Sequence, residues 1–151
     1  MNISPRKPVR LTKLTATALL TLGLWAGAVA AANAAALTIE LKGEIGDKGS
    51  VFVALYKADD KWMGKASDAR KTLAKKDGVS VTFNDVAEGE YAISMFVDEN
   101  NNGKLDANAI GMPIELFAFS NGAMGNFGPP SFAEAKFIVG KDNMTHVITL
   151  K

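Results

Sequence analysis

The sequence contains no cysteine. That absence excludes disulfides, thiolate metal sites, a cysteine nucleophile and a lipidated N-terminal cysteine. There is a single histidine, His146, so a site built from several imidazoles of one chain is excluded too. Acidic residues are missing from positions 1–34, where Arg6, Lys7, Arg10 and Lys13 all lie. The formal charge of +1 therefore hides a split: with those four set aside, 13 basic residues stand against 16 acidic ones, and residues 35–151 sum to −3. No basic patch is left to hold a nucleic acid or an anionic membrane. Aromatic residues are few, at 8%, but hydrophobic residues reach 48% and charged residues 22%, the composition of a folded domain. A length of 151 residues fits one domain. The chain has no G-x-S-x-G elbow, and Gly64-Lys65-Ala66-Ser67 lacks the earlier glycine and the adjoining Ser/Thr of a phosphate loop.

What is present begins with an address. MNISPRKPVRLTK is basic, LTATALLTLGLWAGAVAAANA is apolar, and Ala32-Asn33-Ala34 has the small-x-small form cut by signal peptidase. A permanent anchor is the competing reading, because no charge occurs between Lys13 and Glu40. Three threonines dilute the run, and an alanine-rich segment ends it where a cleavage site belongs. The expectation is a signal peptide over 1–34 and a single mature domain over 35–151, periplasmic or secreted, with no membrane contact after cleavage. There is no twin-arginine pair.

From Leu37 onward the hydrophobic period is two. Leu37, Ile39 and Leu41 alternate with polar residues, as do Val79, Val81 and Phe83, and Tyr91, Ile93, Met95 and Val97. SVFVALYK (50–57) is apolar on both faces and suits a central strand. Further runs are PIELFAF (113–119), Ala133 to Val139, and MTHVITL (144–150). About seven strands separated by turn signals predict an all-β, antiparallel two-sheet sandwich, immunoglobulin-like or prealbumin-like. The charged segment 58–78 does not read as a strand; Ser67 to Lys75 fits a short helix with Ala69, Leu73 and Ala74 inward. Trp62 and Met63 would pin that loop to the body, a better reading than a sugar-stacking tryptophan. Residues 120–131 form a second long loop, rich in glycine and proline.

One constellation carries chemistry. Strand 90–97 runs into Asp98-Glu99-Asn100-Asn101-Asn102-Gly103-Lys104-Leu105-Asp106, with side-chain oxygens at loop positions 1, 3, 5 and 9 and glycine at 6. That is the spacing of a calcium loop, in which every second residue turns an oxygen inward around a hard cation. The metal candidates are Asp98, Asn100, Asn102, the Lys104 carbonyl and Asp106, with Leu105 tucked into the core. Position 12 departs from an EF-hand: it is Ala109, and the preceding segment is a strand. Glu115 could fold back to supply the missing ligand. With few carboxylates, calcium affinity should be weak, on the order of 10⁻⁴–10⁻³ M. The competing reading is an asparagine-rich turn that needs no ion.

The block GEYAISMFVDENNNGKLDANAIGMPIELFAFSNGAMGNFGPPSFAEAKF (89–137) resembles the bacterial domain-of-unknown-function 2141 family. The shared pattern is G-x-Y-A (Gly89, Tyr91, Ala92), D-x-N-x-N-G-x-x-D (Asp98 to Asp106), G-x-P-x-E (Gly111, Pro113, Glu115), F-S-N (Phe119, Ser120, Asn121) and the run from Gly128 to Phe137. GSVFVALY (49–56) resembles the family's first strand. The resemblance implies a small exported β-sandwich with no established activity, and it groups Asp98, Asn100, Asn102 and Asp106 in one site. Val97 departs from it, standing where many members have histidine. The loop is also similar to calcium loops of prealbumin-like adhesion repeats, a likeness that fixes no function.

Three functions compete. The first is a non-enzymatic exported module that binds an unknown protein, glycan or envelope component through its long loops, with Phe117, Phe119, Phe127 and Trp62 as candidate contacts. The second is a structural or assembly subunit that uses edge-strand addition. The third is a hydrolase with paired carboxylates such as Asp98 and Glu115. No base accompanies a nucleophile, and His146 shares a face with Met144, Ile148 and Leu150, so the expectation is no enzyme.

Overall fold

A computed structural model describes residues 34–150. The leader read over 1–34 lies, but for Ala34, outside the described residues. The described residues form one compact unit. Among the described residues, no helix is long and apolar enough to cross a membrane.

The alternation read in the sequence is the alternation of burial. β1 (Ala35–Lys42) turns Leu37, Ile39 and Leu41 inward, and β4 (Val79–Val86) does the same with Val79, Val81 and Phe83. Between them lie β2 (Ser50–Lys57) and β3 (Asp68–Leu73); β5 (Gly89–Asp98), β6 (Phe117–Phe119), β7 (Phe137–Val139) and β8 (Met144–Thr149) follow. One sheet has the order β4-β1-β8 and the other β3-β2-β5-β6, with β7 also on β5. The fold is all-β, in two sheets. Val51, Val53, Leu55, Ile93, Met95 and Val97 of the larger sheet join the inward residues of the smaller one in a single core. Burial of such side chains, at roughly 25 cal/mol per Å² of apolar surface, is what holds sheets together.

Strand register places the end of β5 beside the start of β2. The two pair antiparallel with Ser50 opposite Asp98 and Lys57 opposite Tyr91. The other edge of β5 is shared: β7 covers Gly89 to Tyr91, and β6 covers Ser94 to Phe96.

Three expectations need correction. The segment 67–75 is not a helix, since Asp68–Leu73 pairs antiparallel with β2 as an edge strand. Its helix-forming residues yield to tertiary pairing. Asp68, Arg70 and Thr72 face inward half-buried, Leu73 and Ala69 are exposed, and of the expected inward residues only Ala74 is buried. Arg70 lays its guanidinium over the Phe83 ring at 5.0 Å, so a charged residue caps the core edge. The sandwich is not wholly antiparallel: β1 and β8 run parallel from Leu37/Met144 to Lys42/Thr149. The two strands are far apart in sequence, so no hairpin dictates their direction. The run 133–139 is strand only from Phe137; before it stands one helical turn, α1 (Phe132–Ala135). Ser131 and Glu134 close a capping box on that turn, which overrides the alternation.

Candidate functional site

β5 delivers Asp98 to the end of the larger sheet, where its side chain is 0% exposed. The carboxylate winds the following loop about itself. Oδ1 accepts from the Asn102 N–H at 3.0 Å, and Oδ2 accepts from the Gly103 N–H at 2.8 Å. Asn100 Oδ1 also accepts from Asn102 N–H, at 3.0 Å, and Asn102 Oδ1 accepts from Lys104 N–H at 2.8 Å. Side chains at every second position thus turn inward and hold backbone two to five residues ahead, as Asx turns do. Gly103 has φ 80°, the left-handed conformation that glycine adopts without cost.

Asp106 closes the ring. Asn100 Nδ2 donates to its Oδ2 at 2.6 Å, and Asn102 Nδ2 donates to both its oxygens at 2.9 and 3.0 Å. Glu115 reaches back as the sequence suggested, but its carboxylate meets backbone. Oε1 accepts from Glu99 N–H at 3.0 Å and Oε2 from Asp106 N–H at 2.8 Å. It clamps the two ends of the loop together.

The structure therefore brings Asp98, Asn100, Asn102 and Asp106 into one cluster, with Glu115 at its base. Lys104 contributes its N–H to Asn102. Leu105 is 37% exposed and does not enter the core, because the loop is closed by polar bonds without it. Among the described residues, no group of three or more His, Cys, Asp or Glu is placed to hold a metal ion. A hard cation here would have two carboxylates, Asp98 and Asp106, and would complete its shell from amide or backbone oxygen and water. In the structure the two asparagine amides supply the positive ends that meet Asp106.

Sequence reasoning missed the floor of the site. Ser50, 2% exposed, donates from Oγ to Asn101 Oδ1 at 2.7 Å, and Asn101 itself has φ 59°. A Cβ on Gly49 would lie 2.0 Å from the Asp98 carbonyl oxygen. The available signal was the Gly49-Ser50 pair just before an apolar strand; what hid it was the β2–β5 register.

The F-S-N turn has a different task. Ser120 is fully buried; its Oγ accepts from Ile93 N–H at 2.9 Å and donates to Ala135 C=O at 2.5 Å. Asn121, at φ 60°, donates to the Ala135 and Lys136 carbonyls at 3.2 and 2.7 Å. These bonds latch α1 to β5. Phe119 is buried there, with Phe117, Trp62 and Phe132 packed around it, whereas Phe127 is fully exposed. Trp62 donates from Nε1 to the Pro130 carbonyl at 2.7 Å, so it anchors one long loop to the other. His146 stacks on Phe137 at 4.2 Å with Nε2 buried and unpartnered, and burial pushes its pKa below the ordinary 6.5.

Neither a curated protein nor a solved structure matches the chain. A family model does match, over residues 39–147, which run from the second half of β1 through most of β8 and include the whole 98–115 cluster. It is described as an uncharacterized protein conserved in bacteria (DUF2141), and the chain belongs to that family.

Proposed function

We propose that the protein is an exported, non-enzymatic binding module, acting in the periplasm or outside the cell, whose 98–106 loop is organised by calcium. The observation that carries the reading is the single hydrogen-bonded cluster formed by Asp98, Asn100, Asn102 and Asp106, with Asp98 fully buried. A buried carboxylate is costly unless it is paired or bonded. Here backbone amides bond it and asparagine amides face Asp106, the role a cation would take over. Export is supported by the basic-then-apolar N-terminus and Ala32-Asn33-Ala34. The partner on this reading is a protein or glycan met by the long loops.

The test is thermal melting of the chain from Ala35 on, in EDTA and in millimolar calcium, beside Asp98→Ala and Asp106→Asn. Binding to the native state adds RT ln(1 + [L]/Kd), about 1.4 kcal/mol at ten times Kd. That raises the melting temperature by several degrees. Asp98→Ala also removes the acceptors of two backbone N–H groups, so the quantity read is the calcium-minus-EDTA difference within each protein. A rise in wild type that disappears in both variants supports the reading. Equal melting in EDTA and calcium for wild type leaves a turn that needs no ion.

A second reading, edge-strand addition, is favoured by one feature. Among the described residues β6 pairs with β5 alone, and beside it runs a groove lined by Leu116, Phe119, Met124 and Leu150. The variants separate the two, because they remove an ion response and leave β6 as it is.

A further inference from the structure

The pairing of β6 fixes which of its backbone groups are spent. Met95 stands opposite Ala118, and Val97 N–H donates to Leu116 C=O at 2.8 Å. Bonded positions alternate in an antiparallel pair, so Leu116 and Ala118 turn their backbone groups toward β5. Phe117 therefore turns both its N–H and its C=O away from β5, and Phe119 turns its N–H the same way. Among the described residues no strand lies on that side of β6. What lies there is the groove, about 410 Å³, lined by the small Ala118, Gly122 and Ala123 as well as by Leu116, Met124 and Leu150. Such a volume suits many small ligands, so it does not by itself choose an occupant. The backbone does. Donors and an acceptor at every second residue beside an apolar trough match an extended chain, which offers its own groups at the same spacing. A compact apolar ligand would cover the trough and leave them unpaired, at a cost.

A strand of three residues makes few such bonds, so side chains must supply selectivity. Charge sets it. Glu115 lines the groove just ahead of β6. It is held there from both sides: the turn before it is closed by Asn108 N–H to Met112 C=O at 2.8 Å and Ile114 N–H to Asp106 C=O at 2.9 Å, and its own carboxylate clamps Glu99 and Asp106 N–H. The ion pairs among the described residues are Lys42–Glu40, Arg70–Asp68 and Lys136–Glu90, and Glu115 is in none of them. Over 98–115 the acids Asp98, Glu99, Asp106 and Glu115 face one base, Lys104. We infer that the β6 edge and its groove bind an extended peptide segment of a partner protein, with alternate apolar side chains in the groove and a lysine or arginine at the Glu115 end. The inference rests on the edge-strand reading and names its partner; it needs no calcium.

The test is NMR-detected amide exchange of the chain from Ala35 on, in EDTA, with synthetic peptide at millimolar concentration. The probe is Thr-Val-Thr-Val-Thr, flanked on both sides by lysine or on both sides by glutamate, and capped by acetyl and amide groups. The lysine peptide should slow exchange at Phe117 and Phe119 and bind severalfold more tightly than the glutamate peptide. The gap should close in high salt and in Glu115→Gln. Phe117→Pro removes the outward N–H at an edge position where proline is tolerated, and Phe117→Ala loses the same ring but keeps the N–H. Melting curves establish that both are folded. The proline variant should bind about fivefold more weakly than the alanine variant, the worth of one hydrogen bond. Equal affinity of wild type for the two peptides would overturn the named partner and leave strand addition standing. No slowing with either peptide would overturn both. Equal binding by the proline and alanine variants would move the peptide off the β6 backbone. Slowing at Phe117 that grows with protein concentration alone would make the occupant a second copy of this chain instead.

Discussion

At the residue scale, His146 shows how far one side chain's role depends on what covers it. On β8 it pairs in register with Ile39 of β1, and its ring lies on Phe137, 18° from parallel. Among the described residues Nε2 has no hydrogen-bond partner. Burial lowers its pKa, so the folded protein holds the neutral ring where the unfolded chain would already take a proton. The unfolded state then binds more protons between the folded pKa and about 6.5, and stability rises with pH across that window. The contribution is complete above about 6.5 and is lost as pH falls through the folded pKa. His146→Phe keeps the stack and removes the titration. Urea unfolding from pH 8 downward should therefore show wild type losing stability below about 6.5 while the variant stays flat there. Identical profiles would mean that the ring titrates as freely folded as unfolded. Asp60 is held below its ordinary 3.8 by the Ser67 hydroxyl and the Lys57 N–H, so its own loss falls at more acid pH and does not blur the comparison.

At the scale of elements, the 98–115 segment is two turns joined by one clamp. Which side chains turn inward was legible, because loop spacing alone sets that. That Asp106 is met by amide nitrogens, and that Glu115 bonds backbone, was not: both depend on how the chain returns toward β6. Ser50 and Asn101 were hidden for a similar reason, since the pairing of Ser50 with Asp98 joins positions that no local pattern connects. Glu115 is the point at which these pieces can be separated. Glu115→Ala removes the acceptors of the Glu99 and Asp106 N–H groups. Water reaches part of this site, so the cost should be near the low end for lost bonds to a charged group, about 1.5–3 kcal/mol. That corresponds to a fall of several degrees in melting temperature, in EDTA as well as in calcium. Amide exchange should rise at Glu99 and Asp106 and stay slow in β1 and β4. A variant that melts with wild type in EDTA would mean that the loop is held shut by its asparagines alone.

At the scale of the whole molecule, the layers were legible and their edges were not. Period-two burial of Leu37, Ile39, Leu41, Val79, Val81 and Phe83 is a property of each strand, so it could be read locally. The strand nature of 68–73 and the parallel direction of β8 are properties of neighbours, so they could not. The same holds for the second apolar cluster, which lies apart from the main core: Ala92, Phe119 and Ala135 are buried beneath Trp62, Phe117 and Phe132. Trp62 packs on Tyr56 at 4.9 Å, Phe132 at 5.9 Å and Phe119 at 6.0 Å, and it bonds Pro130. It therefore joins two long loops to the larger sheet. Trp62→Phe should keep most ring contacts and lose the one hydrogen bond, about 1 kcal/mol. Trp62→Ala should cost more, about 2–4 kcal/mol for a half-buried aromatic. The diagnostic is where the loss falls. Hydrogen exchange should quicken across 58–67 and 120–132, while β4, β1 and β8 remain protected until global unfolding. Uniform loss of protection in both sheets would show instead that the outer cluster and the core melt as one unit, and that the long loops are as firmly held as the strands they join.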